Sequence, residues 1–534
     1  MSAPVTAPAL GRELDLGRNP RTGAEHPGVR HTSAKEVARM VAAAAGCAPF
    51  VGSTPPDVRA KWLQCIAASL EEHAPALVAL ADAETALGEA RLSGELAKAA
   101  ASLRFYGDVA VEGSYLQATI DSTGTPPLDL RRMRLPLGPV AVFGASNFPF
   151  GFGVLGHDTG SAIAAGCPVV VKAHPAHPRL CVRLGELACA ALAECGAPAG
   201  AFAVVVGFDA GLALVDAAPI TALAFTGSQS GGMALVQRAG LRPNPIPVFA
   251  EMGTVNPVVI TPEAARTRIR DITEGFAQSY TLGTGQFCTK PGLLLAPAGS
   301  NAADLVAEAL AQLPGGWLLT EAMASSYRRR RAEMTAAGAR VAGEGNTPSA
   351  GFVAVPTVFT ANAEGLTAGS PLLDECFGPA AVVVEYGDLD QLREVLERLQ
   401  PALAATIASG GGADVDLPWL VQLLASRAGR VVVDGWPTGV ANTWAQHHGG
   451  PWPATSRPDA TSVGAAALDR FTRPVTFQGA ADGALPPALR SDNPWALPRR
   501  VNGRPITVTQ TDTDGIEPKA QTHPQGLPAT GGLR

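Results

Sequence analysis

Short runs of Val, Ala and Leu alternate with longer helical stretches through most of the chain. VAVF, VVVK and FAVVV are each followed by segments with apolar residues at three- and four-residue spacing, and ALAFTG continues the alternation. Such runs are typical of parallel strands covered on both faces by helices. The pattern predicts a doubly wound α/β sheet, and a second alternating region starting near Pro257 predicts another α/β domain.

A change of period near Gly113 interrupts this pattern. Helical spacing covers 33–103, whereas SYLQATI and LDLRRMRLP alternate with a period of two around the turn STGTPP. Two such runs predict an exposed β-hairpin. We expect an arm of this kind to complete a sheet in a partner subunit.

Charge and composition exclude several classes of protein. The 534 residues carry 41 Lys and Arg against 47 Asp and Glu, a net charge of −6, which argues against nucleic-acid binding. The hydrophobic share of 46 % excludes disorder throughout, and no apolar stretch has the length of a membrane helix. We expect a cytoplasmic protein with no nucleic-acid or membrane partner. The eight cysteines show no metal-ligand spacing, so reduced thiols and no metal are expected.

Gly151, Gly153 and Gly156 satisfy the familiar pattern G-x-G-x-x-G. A dinucleotide fingerprint starts at the strand end and needs an acidic residue after the second strand. Here VAVF ends several residues earlier, and the second strand ends in Lys172. This context favours a glycine-rich helix entry over a Rossmann fingerprint.

Two other strand ends could bind a nucleotide. Lys172 closes VVVK at the carboxyl end of a parallel sheet, where it could bind ribose or phosphate. Taken alone, it is more simply a strand-end lysine that reaches water. Gly227 and Ser228 lead from a strand into a helix whose free amides could hold an anion, although a lone loop would be only a turn.

Cys288 and Glu251 are the candidate catalytic residues. Glycines around Cys288 in GTGQFCTKP let the backbone approach a ligand, and a thiolate is a strong nucleophile. The alternative is a buried structural cysteine. Glu251 follows an apolar run, so burial is expected to raise its carboxyl pKa towards the range of a general base. Its alternative role is a helix cap or an ion pair.

Together these segments resemble the aldehyde dehydrogenase superfamily. The match is carried, in the family's order, by GPVAVFGASNFPF, CPVVVKAHPAHP, AFTGS, EMG followed by NP, GQFCTKP and ECFGP. KAHPAHP, EMGTVNPVV and HGGPWPATS are similar to the branch with NADP-dependent 2,5-dioxovalerate (α-ketoglutarate semialdehyde) dehydrogenases and bacterial fatty aldehyde dehydrogenases. The resemblance implies a homodimer or homotetramer. The implied layout is a cofactor-binding domain at 1–115 and 137–253, a catalytic domain at 254–440, and an oligomerisation arm at 116–136 and 465–480. Separately, the polar composition of 502–534, which is rich in Gly, Pro and Thr, predicts a disordered tail.

The resemblance also implies a role for each matching residue. Cys288 attacks the aldehyde, the Asn147 amide and the Cys288 N–H hold the oxyanion, and Glu251 activates the water that hydrolyses the thioester. His448 matches a histidine beside the active site that would tune the thiol or Glu251; its alternative is a loop histidine with one hydrogen bond. The implied cofactor contacts are Lys172 and Glu375 for ribose, Phe377 for nicotinamide, and Gly227 with Ser228 for pyrophosphate.

Cofactor choice and substrate are less constrained. Pro175 stands where NAD-preferring members carry an acidic residue, so NADP is favoured over NAD. Asp209, however, stands where a cation would help to bind a 2′-phosphate. The favoured substrate is 2,5-dioxovalerate, with long-chain or general aliphatic aldehydes as the alternative. A catalytically silent structural or ligand-binding relative is the alternative of another class. Arg104 would bind a substrate carboxylate unless it is a surface arginine. The residues that could line the pocket are Phe148, Phe150, Phe152, Phe287 and Trp444.

Overall fold

The computed structural model describes residues 13–124, 128–367, 369–412 and 414–506. The α-helices in these ranges are α1 (Ala34–Ser53), α2 (Pro56–Glu72), α3 (Ala74–Thr85), α4 (Glu89–Glu112), α5 (His157–Ala165), α6 (Pro178–Glu194), α7 (Phe208–Asp216), α8 (Gln229–Gly240), α9 (Pro262–Thr281), α10 (Ala302–Leu310), α11 (Glu321–Ala336), α12 (Leu389–Arg398) and α13 (Leu417–Ala425).

The strands in the same ranges fall into three larger sheets and two short pairs. They are β1 (Leu14–Asp15), β2 (Val29–Arg30), β3 (Thr119–Asp121), β4 (Leu130–Pro136), β5 (Val140–Phe143), β6 (Val169–Lys172), β7 (Phe202–Val205), β8 (Ala222–Gly227), β9 (Val248–Met252), β10 (Asn256–Ile260), β11 (Pro291–Pro297), β12 (Gly316–Trp317), β13 (Arg340–Glu344), β14 (Val353–Ala354), β15 (Thr357–Asn362), β16 (Ala380–Tyr386), β17 (Ala402–Ala408), β18 (Ala428–Val433), β19 (Thr472–Gln478), β20 (Arg499–Val501) and β21 (Arg504–Ile506).

The first large sheet has the strand order β7-β6-β5-β8-β9, and all its strands are parallel. Its chain order reverses between β5 and β8, and ligands bind outside the carboxyl ends of strands at such a point. Lys172 ends β6, Gly227 ends β8, and Glu251 lies in the edge strand β9. The Val and Ala side chains of β5 and β6 are buried, as expected for a sheet covered on both faces.

The second large sheet has the order β13-β15-β16-β11-β10-β17-β18. Its strands are parallel except β13, which pairs antiparallel with β15. Buried residues of α9 and α10, including Phe276 and Val306, pack on one face of this sheet. The predicted fold class, with two doubly wound α/β sheets, is confirmed.

The chain divides into two compact units. The first unit holds both large sheets and comprises the described residues up to Val111 together with Leu135–Arg473. The second unit comprises Glu112–Arg134 and the described residues from Pro474 onward. Its sheet has the order β19-β4-β3-β20-β21, and β3 pairs antiparallel with β4, as the predicted hairpin requires.

Two boundaries of the predicted layout differ from the structure. Ala465–Phe471, which we assigned to the arm, form a 3₁₀ helix in the first unit. The predicted tail began too early, because β21 pairs with β20 through residues Arg504–Ile506. The rest of that predicted tail, 507–534, lies outside the described residues. Among the described helices, none has the length and hydropathy needed to cross a membrane.

The expectation that all cysteines are reduced was wrong. Cys65 in α2 and Cys195 after α6 form a disulfide across a sequence separation of 130 residues. The α2 and α6 helices pack together and bring the two Cα atoms to 6.8 Å, which is within the range for a disulfide. Such a pair leaves no local spacing pattern in the sequence. The other six cysteines are free.

Candidate active site

Cys288 lies in a loop between α9 and β11 whose backbone is unusual. Gly283, Thr284 and Gly285 all have positive φ, at 57°, 58° and 66°. A Cβ atom on Gly285 would lie 2.2 Å from the carbonyl oxygen of Gly378, so only glycine fits there. This glycine requirement explains the residue pattern before the cysteine.

Two amide side chains hold the loop in place. The buried Gln286 donates through Nε2 to the carbonyl of Trp317 at 3.1 Å, and its Oε1 accepts the Leu319 N–H at 3.0 Å. Asn256 Nδ2 donates to the carbonyl of Cys288 itself at 2.9 Å. The position of the thiol is therefore fixed by hydrogen bonds from both sides of the loop.

Cys288, Glu251 and His448 converge on one point. Their Sγ, carboxylate oxygen and ring nitrogen atoms all lie within 4.8 Å of one another. His448 Nε2 is 3.5 Å from Cys288 Sγ and 3.0 Å from Glu251 Oε2. The same three groups could hold a soft divalent cation, which would block the nucleophile.

His448 makes more contacts than a loop histidine with a single hydrogen bond. The residue is 2 % exposed. Its backbone N–H donates to Thr461 Oγ1 at 2.8 Å, and its backbone carbonyl accepts the backbone N–H of Ser462 at 2.9 Å. Ser462 Oγ also donates to Glu251 Oε2 at 3.2 Å. The segment after β18 thus places both the imidazole and a hydroxyl against the carboxylate.

The pKa expected for Glu251 was wrong in direction. Burial raises the pKa of this carboxyl. The His448 ring and the hydrogen bonds from His448, Ser462 and Cys288 lower the pKa by more than burial raises it. The net pKa lies below its ordinary value. Glu251 is therefore a charged base at neutral pH.

The same carboxylate acts in the opposite direction on Cys288. The pKa of the Cys288 thiol lies well above its ordinary value. Burial of the sulfur is the largest cause, and the charge and hydrogen bond of Glu251 come next. A negative charge beside the sulfur disfavours the thiolate. Before substrate arrives, the residue is a thiol.

Alkylation of Cys288 in the cofactor-free enzyme should report this charge. We expect the rate with iodoacetamide to keep rising with pH beyond the ordinary thiol range. Glu251→Gln removes the negative charge, lowers the thiol pKa and should raise the rate at pH 8 by about tenfold for each pKa unit. Mass analysis of the Cys288 peptide measures the rate, with Glu186→Gln, an exposed carboxylate, as the control. A slower reaction in Glu251→Gln would contradict this charge effect.

Asn147 follows β5 and points towards the cysteine loop. Its Nδ2 donates to the Gln286 carbonyl at 2.8 Å, two residues before Cys288. An amide nitrogen carries a second hydrogen, which is left to donate to an oxyanion on a substrate bound to the sulfur. The side chain is 7 % exposed, so water competes little for that donor.

A cavity of about 820 Å³ opens onto the Cys288 loop. Phe148, Phe152 and Phe287 lie in its wall, and the Phe148 and Phe287 rings meet edge to face at 5.0 Å between centroids. One side of the cavity is formed by α4, from Ala90 to Phe105. A volume of this size accommodates a small ligand.

Three predicted pocket residues lie elsewhere. Arg104 forms two hydrogen bonds with Glu71 at 2.7 and 2.6 Å on the outer side of α4. Phe150 is a core residue with 1 % exposure, and Trp444 is 54 % exposed and packs on Phe105 instead. None of the three lines the cavity, because their sequence positions place them on other faces of their segments.

Sequence reasoning missed several polar residues in the cavity wall, including Arg91, Glu95 and His157. Arg91 donates to the Asn147 carbonyl at 2.6 Å. Glu95 accepts the N–H groups of Phe150 and Gly151, and burial raises its pKa to about 6. His157 is hydrogen-bonded to Tyr106, and burial lowers its pKa to about 3, so it is neutral. The glycine-rich turn 151–156 caps α5 at Gly156, which confirms the predicted helix entry.

The predicted cofactor residues surround the carboxyl end of the first sheet. Lys172 ends β6, and no hydrogen bond or ion pair of its amine occurs within the described ranges. Ser228 caps α8 by accepting the Gly231 N–H at 3.2 Å, and the start of α8 suits an anion. A Cβ on Gly227 would lie 2.6 Å from the Phe225 ring.

Together with Lys172, Gly227 and Ser228, residues from the region before β16 complete the predicted cofactor site, which we call the cradle. A Cβ on Gly253 would lie 2.1 Å from Glu375 Oε2, so the carboxylate lies directly against the backbone that follows Glu251. Burial raises the pKa of Glu375 to about 7. Phe377 is half-buried and Pro175 is exposed. A free lysine amine, a helix start and a glycine-lined backbone fit a dinucleotide.

A cysteine thiol, a buried carboxylate and an amide donor lie together beside residues that fit a dinucleotide, an arrangement that suits the oxidation of aldehydes through a covalent acyl intermediate. The chain belongs to the aldehyde dehydrogenase family, whose sequence profile matches residues 16–451. It is therefore an NAD(P)-dependent oxidoreductase acting on aldehydes.

Similarity to curated proteins extends over most of the chain. It is 44 % identical over 461 residues to alpha-ketoglutaric semialdehyde dehydrogenase 2 of Azospirillum brasilense, covering 84 % of this chain and 88 % of that protein. It is 38 % identical over 458 residues to alpha-ketoglutaric semialdehyde dehydrogenase of Acinetobacter baylyi, covering 83 % and 86 %. The fold is similar to that of 3,6-anhydro-L-galactose dehydrogenase, with a TM-score of 0.75, 20 % identity and coverage of 88 % and 97 %.

Proposed function

We propose that this protein oxidises 2,5-dioxovalerate to 2-oxoglutarate, with NADP as the preferred cofactor. The observation that carries the chemistry is the convergence of Cys288, His448 and Glu251 within 4.8 Å. The two relatives named as alpha-ketoglutaric semialdehyde dehydrogenases support the substrate, because 2,5-dioxovalerate is the same compound.

The first half of the reaction takes place on Cys288. As the thiol attacks the aldehyde carbon, its proton passes to His448 Nε2, 3.5 Å from Sγ, and the carbonyl oxygen becomes an oxyanion. The second Nδ2 hydrogen of Asn147 and the Cys288 N–H stabilise that charge. A bound nicotinamide would supply the acceptor for the hydride that this carbon loses, which leaves a thioester on Cys288.

The second half is hydrolysis, for which Glu251 has a free acceptor. Its Oε2 accepts from Ser462 and His448, whereas its buried Oε1 has no hydrogen-bond partner among the described residues. A water molecule donating to Oε1 would be deprotonated as it attacks the thioester. The thiolate then leaves, and the carboxylate product is released.

The proposal for the cofactor rests on Lys172, Ser228 and Glu375 in the cradle and on Pro175. A proline three positions after Lys172 leaves no acidic side chain there to repel a 2′-phosphate. Lys172 and Glu375 would hold ribose hydroxyls, Gly227 and Ser228 the pyrophosphate, and Phe377 the nicotinamide side. We also propose a homodimer or homotetramer in the cytoplasm, with the second compact unit as the assembly arm.

Initial rates of the purified enzyme test the proposal. We expect kcat/KM for 2,5-dioxovalerate to exceed that for hexanal or decanal by about 100-fold or more, because a site built around a polar group rejects analogues that lack it. Succinic semialdehyde should fall between them, and NADP should give a higher kcat/KM than NAD. Faster oxidation of decanal would favour the aliphatic alternative, and inactivity with every aldehyde would favour a silent relative.

A further inference from the structure

One face of α4 brings two cations to the wall of the cavity. Arg91 and Lys98 both line it, with Glu95 between them on the same helix face. Lys98 is exposed, whereas Arg91 lies deeper against the loops that carry Asn147 and Cys288. The mechanism proposed above uses neither cation.

Arg91 is held rigidly by aromatic rings. Its guanidinium carbon is 5.0 Å from the ring centroid of Phe148 and 5.0 Å from that of Phe287. These rings belong to the residues that follow Asn147 and precede Cys288. The cation is thus anchored next to both groups that act on the aldehyde carbon.

Most of the hydrogen-bonding capacity of Arg91 is unused. Nη2 donates to the Asn147 carbonyl at 2.6 Å, whereas Nη1 is buried and has no partner among the described residues. Glu95 does not neutralise it through an ion pair, since Glu95 Oε1 instead accepts two backbone N–H groups. A partly buried cation with unpaired donors is stabilised when a ligand anion pairs with them.

We infer that Arg91 is the specificity residue that binds the carboxylate of the substrate, so that the enzyme selects short aldehydes with a carboxylate at the far end. This inference rests on the proposed function. With C–C bonds of about 1.5 Å, the aldehyde and carboxylate carbons of a five-carbon chain lie about 5 Å apart. A substrate of that length bound to Cys288 would place its carboxylate in the cavity that Arg91 and Cys288 both line.

The test compares acidic and neutral aldehydes of equal chain length. We expect Arg91→Met to lower kcat/KM about 100-fold for 2,5-dioxovalerate and 5-oxopentanoate, mainly through KM, because a buried charge loses its partner. For pentanal, we expect a fall of less than about fivefold, because the catalytic groups remain. Arg91→Lys keeps the charge without the planar fork, and should lose only about tenfold on the acids.

Two other cations on α4 provide matched controls. Arg104→Met removes an arginine that pairs with Glu71 outside the cavity, and should leave both kinds of substrate unaffected. Lys98→Met should change the acid-to-pentanal ratio by less than about fivefold, because an exposed cation is screened. Thermal melting and cofactor binding show that each variant is folded.

The pattern of losses across the variants identifies the role of Arg91. Equal losses on acids and pentanal in both Arg91 variants would mean that Arg91 only supports Asn147, and unchanged rates on the acids would remove it from recognition. Loss of acid preference in Lys98→Met instead of Arg91→Met would move the carboxylate to the cavity mouth and overturn the inference. A wild-type enzyme that prefers pentanal would refute the proposed substrate, a failure that is visible before any variant is made.

Discussion

Replacing Cys288 by alanine should abolish aldehyde oxidation. We expect kcat/KM to fall by about 10⁴-fold or more, because no other group can form the acyl intermediate. Six free cysteines occur in the structure. Within the part of the chain that the structure describes, only Cys288 forms a cluster with a carboxylate and an imidazole within 4.8 Å of its sulfur. Alanine fits the site, so cofactor binding and melting temperature should change little.

Cys189→Ala is the matched control for this variant. Cys189 is an exposed free cysteine on α6, and its loss should leave the rate within about twofold, as for other surface substitutions. The measurement is cofactor reduction under saturating conditions, with cofactor binding followed by fluorescence. Substantial turnover by Cys288→Ala would refute the nucleophile assignment.

Glu251→Gln should separate the two halves of the reaction. The amide keeps the size of the side chain but cannot take a proton from water, so hydrolysis should slow by about 10³-fold. The thiohemiacetal and hydride steps take place on Cys288 and Asn147. One equivalent of reduced cofactor per site should therefore still appear in a rapid burst.

Stopped-flow absorbance measures both phases in one experiment. Ser462→Ala is the control, because it removes the 3.2 Å hydrogen bond to Glu251 Oε2 and leaves the carboxylate in place. We expect a loss of less than about tenfold there, in line with one hydrogen bond to a charged group. If Glu251→Gln loses the burst as well, Glu251 is needed to activate the thiol.

The sequence predicted the parts of the fold with strong local periodicity. Valine-rich β5 and β6 and the helices after them were recognised because buried parallel strands have few polar residues. The Cys288 loop was recognised because its glycines are required by positive φ and by the close approach of the Gly378 carbonyl. Such features leave a direct trace in residue choice.

The cavity wall left no comparable trace. A helix face that lines a cavity contains the same mixture of charged and apolar residues as a face in water. The sequence of α4 therefore predicted only an ordinary amphipathic helix. Arg91 and Arg104 are 104 − 91 = 13 positions apart, which at about 100° per residue places them roughly 220° apart around the helix. Only the packing of α4 shows that Arg91 faces the cavity.

The electrostatics of Glu251 were also beyond the sequence. Burial alone predicts a raised pKa, but His448 and Ser462 approach the carboxylate from a segment about 200 residues later. Three-dimensional contacts of this kind reverse the sign that burial sets. The Cys65–Cys195 disulfide was missed for the same reason.

Mass spectrometry of trapped Glu251→Gln shows which residue carries the acyl group. The enzyme is mixed with 2,5-dioxovalerate and NADP, quenched in acid during the slow phase and digested. We expect one acyl group per chain, attached as a thioester to the peptide containing Cys288 and released by hydroxylamine. A burst of reduced cofactor with no adduct on that peptide, or with the adduct on another cysteine, would contradict this expectation.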